Sequence, residues 1–156
     1  MVWSKVTEQD THRVISAIVR HYGRLELPAA GDSMYPLIKA GDRCTFEAVA
    51  PADVRSGDIV LYADSGGRLV AHRFHRWTVV NRERFALCRG DANAGYDEPV
   101  PADRLIARLA VIRKRGASLH AGHPLLAAWG RAMLGSRYLS AGLRRYLNRR
   151  AGTGTP

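Results

Sequence analysis

Three kinds of side chain in this sequence could together perform acyl transfer: a serine in a tight loop, a histidine in a strand-like run, and carboxylates beyond a second turn. The serine is Ser33, in Gly31-Asp32-Ser33-Met34-Tyr35-Pro36. Its hydroxyl is a weak nucleophile at neutral pH and needs a positioned base to take its proton. The histidine is His72, in Val70-Ala71-His72-Arg73, and imidazole suits that task because its proton affinity lies near working pH. The carboxylates are Asp91, in Arg89-Gly90-Asp91-Ala92-Asn93, and Asp97 a little further on. Either could hold the far ring nitrogen, fix the tautomer and stabilise the imidazolium. These are the parts of a Ser-His-Asp triad in that chain order. Most proteins contain the same three residue types, so their meaning depends on the elements that place them.

Around Ser33, Gly31 can take backbone angles closed to other residues, Pro36 fixes φ and removes a donor, and Gly41-Asp42 signals a second turn. Before this loop, residues 7–22 read as a helix. Thr7 with Asp10 resembles a capping box, Val14, Ile15, Ile18, Val19 and Tyr22 form an apolar stripe, and Gly23 is a natural stop. Leu25-Glu26-Leu27 alternates like a strand. From residue 43 to 112 the pattern has period two, with strands expected at 44–49, 59–62, 69–80, 85–89 and 105–113. Clusters such as Ser56-Gly57-Asp58 and Asp64-Ser65-Gly66-Gly67 supply the turns. Several short strands at close spacing predict a mostly β, α+β fold: a compact antiparallel barrel or coiled sheet with an N-terminal helix and C-terminal amphipathic helices.

After Gly116 the alternation fades. Pro124 opens a helix carrying Leu125, Leu126, Trp129, Met133 and Leu134, interrupted by Gly135-Ser136. A second helix sets Tyr138, Leu139, Leu143, Tyr146 and Leu147 against Arg137, Arg144, Arg145, Arg149 and Arg150. The expected organisation is a helical lead (1–24), a β domain (25–115), a basic amphipathic helical appendage (116–150) and a disordered tail (151–156).

At 156 residues the chain suits one domain with a real core. Its 24 Lys plus Arg against 14 Asp plus Glu give a net charge of +10, a balance that favours a polyanionic partner. For the basic helices, the commonest meaning of such a pattern is the solvated face of a docked helix. Attachment to an anionic membrane surface comes next. Nucleic-acid binding comes last, since no recognition motif accompanies the arginines. Cys44 and Cys88 make no disulfide framework and no metal-ligand spacing, and a bond between them requires that their strands be neighbours. No apolar run approaches the roughly 18 residues that a spanning helix needs. Residues 1–10 have no apolar core of the secretory kind. The expectation is therefore a peripheral membrane or cytoplasmic protein, with no cleaved signal and no spanning anchor.

Five ordered motifs carry a resemblance: Gly31-Asp32-Ser33-Met34-x-Pro36, Gly41-Asp42, Gly57-Asp58-Ile59-Val60, Ala71-His72-Arg73, and Gly90-Asp91-x-Asn93 with Asp97. Together they resemble the signal peptidase I and LexA-like serine protease superfamily. Bacterial-type signal peptidases and self-cleaving repressors of that superfamily use a lysine base, and the strand here, Leu69 to Arg76, holds none. A histidine there resembles the endoplasmic-reticulum and archaeal-type signal peptidases. The resemblance implies a catalytic β domain with Ser33 as nucleophile, His72 as general base, and Asp91 or Asp97 as orienting acid, Asp91 being preferred by a small margin. Arg73 and Asn93 either support the site by hydrogen bonds or are purely structural. The implied reaction is serine endopeptidase cleavage after a small residue in an extended peptide or protein substrate, without metal or organic cofactor.

Departures from the family wording are specific. Gly-Asp-Ser-Met is closer to the repressor branch than to the Ser-Gly-Ser-Met of signal peptidases. Gly31 replaces a serine hydroxyl that helps many of them hold the oxyanion, which leaves the Ser33 backbone N–H as the obvious donor. Asp32 is expected to point outward, away from developing negative charge. His75, three positions beyond His72, is expected to face the other way and lie at the surface. Two other functions use the same scaffold: a LexA-like self-cleaving or regulatory module, and a non-catalytic protein that binds peptide or membrane. The short leading segment and the missing lysine argue against the first.

Overall fold

The structure, a computed structural model, describes residues 2–3 and 10–152. Thr7, half of the expected capping box, and the tail from 153 onward lie outside the described residues. In chain order the elements are β1 (Val2–Trp3), α1 (Asp10–Tyr22), β2 (Arg24–Pro28), β3 (Arg43–Ala48), β4 (Ile59–Ala63), β5 (Leu69–Val80), β6 (Glu83–Arg89), β7 (Val100–Pro101), β8 (Leu105–Lys114), β9 (Ala117–His120), α2 (Pro124–Gly135) and α3 (Arg137–Gly152). The fold is mixed α+β around one curled antiparallel sheet of half-barrel form. Its main strand order is β2-β3-β8-β4-β5-β6-β7, with β1 added to β5 and β9 to β8.

Two long strands organise the sheet. β5 pairs with β4 along its first half, Ile59 opposite Arg73 and Ala63 opposite Leu69, and with β6 along its second. β8 is shared in the same way, with β3 along one edge and β4 followed by β9 along the other. Register shifts at Thr45/Phe46, Leu61/Tyr62 and Phe74/Arg76 bend these strands, as bulges do, and the sheet curls on itself.

Alternation along β5 separates two apolar clusters. Leu69 and Ala71 join Ile59, Leu61, Met34, Ile38, Phe46, Ile112 and Val19. Val70 and Phe74 join Val60, Tyr62, Cys88, Val100 and Leu105. His72 follows the parity of Val70, and Arg73 that of Ala71, so neighbouring polar side chains on one strand serve opposite sides of the sheet.

Three expectations need correction, those for β9, the α1 stripe and His75. β9 lies in a stretch where alternation is too short to read, and it forms by extending the β8 hairpin across Arg115-Gly116. The stripe on α1 is narrower than its apolar residues suggest. Val19 is fully buried and Ile15 packs on the core, while Val14 and Tyr22 stay exposed. His75 is buried rather than superficial, because it falls at the bulge where β5 slips against β6 and simple alternation fails. Cys44 and Cys88 are free and buried, on β3 and β6, which three other strands separate. Burial pushes the Cys44 thiol up to about 12 and the Cys88 thiol up as well. Both behave as small hydrophobes.

Candidate active site

The serine loop is closed at its base and anchored on both sides. Ala29 N–H donates to Asp42 O at 2.7 Å, and Gly41 N–H donates to Ala29 O at 3.0 Å. Gly31 and Gly41 hold φ of 76° and 89°, left-handed values that suit glycine. Met34 and Ile38 insert into the core, and the Asp42 carboxylate accepts from Lys39 N–H and from Lys114 Nζ. Asp32 is exposed, the outward orientation expected of it.

A second turn fixes the loop from the other side. Ala92 N–H donates to Ser33 O at 2.8 Å, and Asn93 N–H closes the turn on Gly90 O. A Cβ on residue 90 would lie 2.8 Å from Ser33 O and 2.8 Å from Asn93 Nδ2. Only glycine permits the Ser33 carbonyl and the Asn93 side chain to meet there. The Asn93 side chain and the Ser33 carbonyl both border Gly90.

His72, on β5 opposite Val60, spans the gap between Ser33 and the acidic loop. Its Nε2 lies 2.9 Å from Ser33 Oγ and its Nδ1 lies 2.7 Å from Asp97 Oδ2. An ionised carboxylate only accepts, so Nδ1 carries the proton and the Nε2 lone pair faces the serine hydroxyl. Burial lowers the His72 pKa below its ordinary value, against the opposing pull of Asp97. The imidazole is therefore neutral at pH 7, as a general base must be.

Asp97 is held in turn. Its N–H donates to Cys88 O, and its Oδ2 also accepts from Tyr62 O–H at 2.8 Å. Tyr62 is buried on β4 and meets the His72 ring edge-on, with centroids 6.5 Å apart. Burial drives its phenol pKa upward, so it stays a donor. Beside this group a cavity of about 540 Å³ opens, lined by Tyr62, Val70, His72, Asp97, Val100 and Arg104 among others.

Asp91, the preferred orienting acid, is elsewhere. It is buried and grips Arg73 bidentately, Nε to Oδ1 and Nη2 to Oδ2, each at 2.7 Å. Trp129 Nε1 of α2 adds a third bond to Oδ2 at 2.8 Å, and Arg73 Nη1 donates to Gly57 O. Asp91 is fully committed to a guanidinium, and Asp97 takes the imidazole. Arg73 and Asp91 tie β5, the acidic turn, the Gly57 turn and α2 together. Gly130 lets α2 approach, since a Cβ there would sit 3.0 Å from Arg73 Nη1.

Sequence reasoning did not single out Tyr62, Trp129 or Gly130 for the site. Tyr62 read as a strand hydrophobe and Trp129 as part of a helical stripe. Nothing local signals that each aims a polar atom at a carboxylate.

No family model matches the chain, and no curated protein matches it either. The functional reading therefore stands on the geometry above and on the motif resemblance.

Proposed function

We propose that this protein is a serine endopeptidase of signal-peptidase-like type, with Ser33 as nucleophile, His72 as general base and Asp97 as orienting acid. The observation that carries the proposal is His72 bridging Ser33 Oγ and Asp97 Oδ2 at 2.9 and 2.7 Å, on a buried imidazole kept neutral.

The chemistry follows from those contacts. Ser33 Oγ attacks the scissile carbonyl carbon while His72 Nε2 takes its proton. Asp97 stabilises the imidazolium, and Tyr62 holds Asp97 in place. The imidazolium then protonates the leaving amine, the C–N bond breaks, and an acyl-Ser33 ester remains. Water, deprotonated by the same imidazole, hydrolyses the ester and restores the hydroxyl. The resemblance supplies the specificity: a small residue before the cleaved bond, in a peptide bound as an added strand. Membership in the signal peptidase and LexA-like superfamily is part of this proposal, supported by the five motifs and by the curled antiparallel sheet that carries them.

A peptide library with alanine before the scissile bond tests the reading with wild type, Ser33→Ala and His72→Ala. Cleavage by wild type alone is the expected result. Equal activity in all three, or none in wild type across the library, overturns it. Fragments of the protein itself that depend on Ser33 would point to the self-cleaving module instead.

A further inference from the structure

We propose that the surface formed by α2 and α3 binds an anionic phospholipid bilayer. The charge distribution is the first observation. Residues 1–103 hold thirteen Lys and Arg against fourteen Asp and Glu, close to balance. Residues 104–156 hold eleven basic residues and no acidic one, so the whole excess of +10 lies in this last third.

The second observation is where this region leaves apolar side chains. Leu126, Gly130 and Met133 bury the inward face of α2, and Ser140 with half-buried Leu143 and Leu147 marks the inward face of α3. Away from those faces, Leu125 is 68% exposed and Tyr138 90% exposed, with Leu139 and Tyr146 about half so. Tyr138, Arg145 and Arg149, at i, i+7 and i+11, fall along one outward line of α3. Exposed Leu and Tyr interleaved with Arg on adjoining helices is the composition of an interfacial helix: the rings and chains enter the headgroup boundary while guanidinium groups meet lipid phosphates. A nucleic acid would use the arginines and leave Leu125 and Leu139 without a partner. Among the described residues no helix is long and apolar enough to cross a membrane.

The surface adjoins the nucleophile loop. Tyr146 of α3 stacks on Tyr35, two residues beyond Ser33, with centroids 6.0 Å apart. A chain lying on lipid through α3 would hold that loop close to the bilayer. The binding inference itself is independent of peptidase action, and its test needs no substrate.

The test is flotation of the full chain with phosphatidylcholine vesicles and with vesicles partly of phosphatidylglycerol. Binding is expected only to the latter, weakening as salt rises. Arg144→Gln with Arg145→Gln is expected to weaken it about ten-fold or more. Tyr138→Ala with Leu139→Ala is expected to weaken it by at least several-fold. All four side chains are exposed, so both variants keep the wild-type melting midpoint. Absence of binding to phosphatidylglycerol vesicles overturns the inference, as does binding indifferent to either pair. Equal affinity for a single-stranded oligonucleotide, untouched by the Tyr138 and Leu139 changes, overturns the lipid assignment in favour of a general polyanion site.

Discussion

Two carboxylates six residues apart, Asp91 and Asp97, are put to opposite uses. Asp91 is sealed under α2 and shares both oxygens with the Arg73 guanidinium, with an indole N–H added. Asp97 sits at the edge of a cavity and directs one oxygen to an imidazole and a phenol. The two basic partners are neighbours on β5, pointing to opposite sides of the sheet. Arg73 carries a permanent charge, so its pair with Asp91 is fixed and can only hold structure together. The His72 imidazole can accept a proton at one nitrogen while holding one at the other, so its pair with Asp97 can take part in proton transfer. What separates the two aspartates is the chemistry of the partner each meets.

That contrast can be broken at several points. His72→Ala removes the base and is expected to lower cleavage by about 10³-fold or more, with the melting midpoint nearly unchanged. Gly90→Ala should strike both halves, because its Cβ would collide with Ser33 O. We expect a loss of about 1–3 kcal/mol in stability together with reduced kcat. Trp129→Phe removes one donor from Asp91 and should cost about 1–3 kcal/mol by denaturant unfolding, with kcat unaffected. Tyr62→Phe removes the matching donor from Asp97. It should lower kcat/KM roughly ten-fold with at most a small change in stability. Equal effects of these last two on rate would erase the distinction.

Acid should affect stability through both buried histidines and activity through His72 alone. The folded-state pKa of His72 lies below the ordinary value of about 6.5, and that of His75 falls to about 4, chiefly by burial and then by Arg89 and Arg73. In that interval the unfolded chain binds protons that the folded chain does not, so stability falls as pH drops from about 6.5 toward 4. His75→Gln should flatten part of that slope in melting midpoint against pH, while leaving the pH dependence of cleavage in place. The acid limb of cleavage should lie below the ordinary histidine range, since burial lowers the His72 pKa.

Much of the scaffold was legible in the sequence. Period-two alternation bounded by turn residues placed β3, β4, β5, β6 and β8 within a residue or two of where they lie, and Pro124 and Gly135-Ser136 delimited α2. Ser33 and His72 could be singled out because a nucleophile loop and a strand histidine carry local signatures. The carboxylate that meets His72 could not. Asp91 and Asp97 belong to one loop, and choosing between them requires knowing that Arg73 and a helix more than thirty residues later enclose Asp91. His75 was misread for a related reason: a bulge is a property of pairing with β6, and alternation within β5 does not reveal it. The short β9 and the half-exposed stripe of α1 are likewise settled by neighbours, not by their own residues.

The most direct test of the account compares Asp97→Asn with Asp91→Asn in parallel, reading kcat/KM on a cleaved peptide and the free energy of unfolding. Asp97→Asn is expected to cut the rate by about 10²-fold or more while the protein remains near wild-type stability. Asp91→Asn leaves Arg73 buried against a neutral amide and is expected to cost about 3–5 kcal/mol of stability. Its rate, measured well below its melting midpoint, should stay within a few-fold of wild type. The opposite pattern, a rate collapse for Asp91→Asn and full activity for Asp97→Asn, would contradict the assignment of Asp97 to the triad.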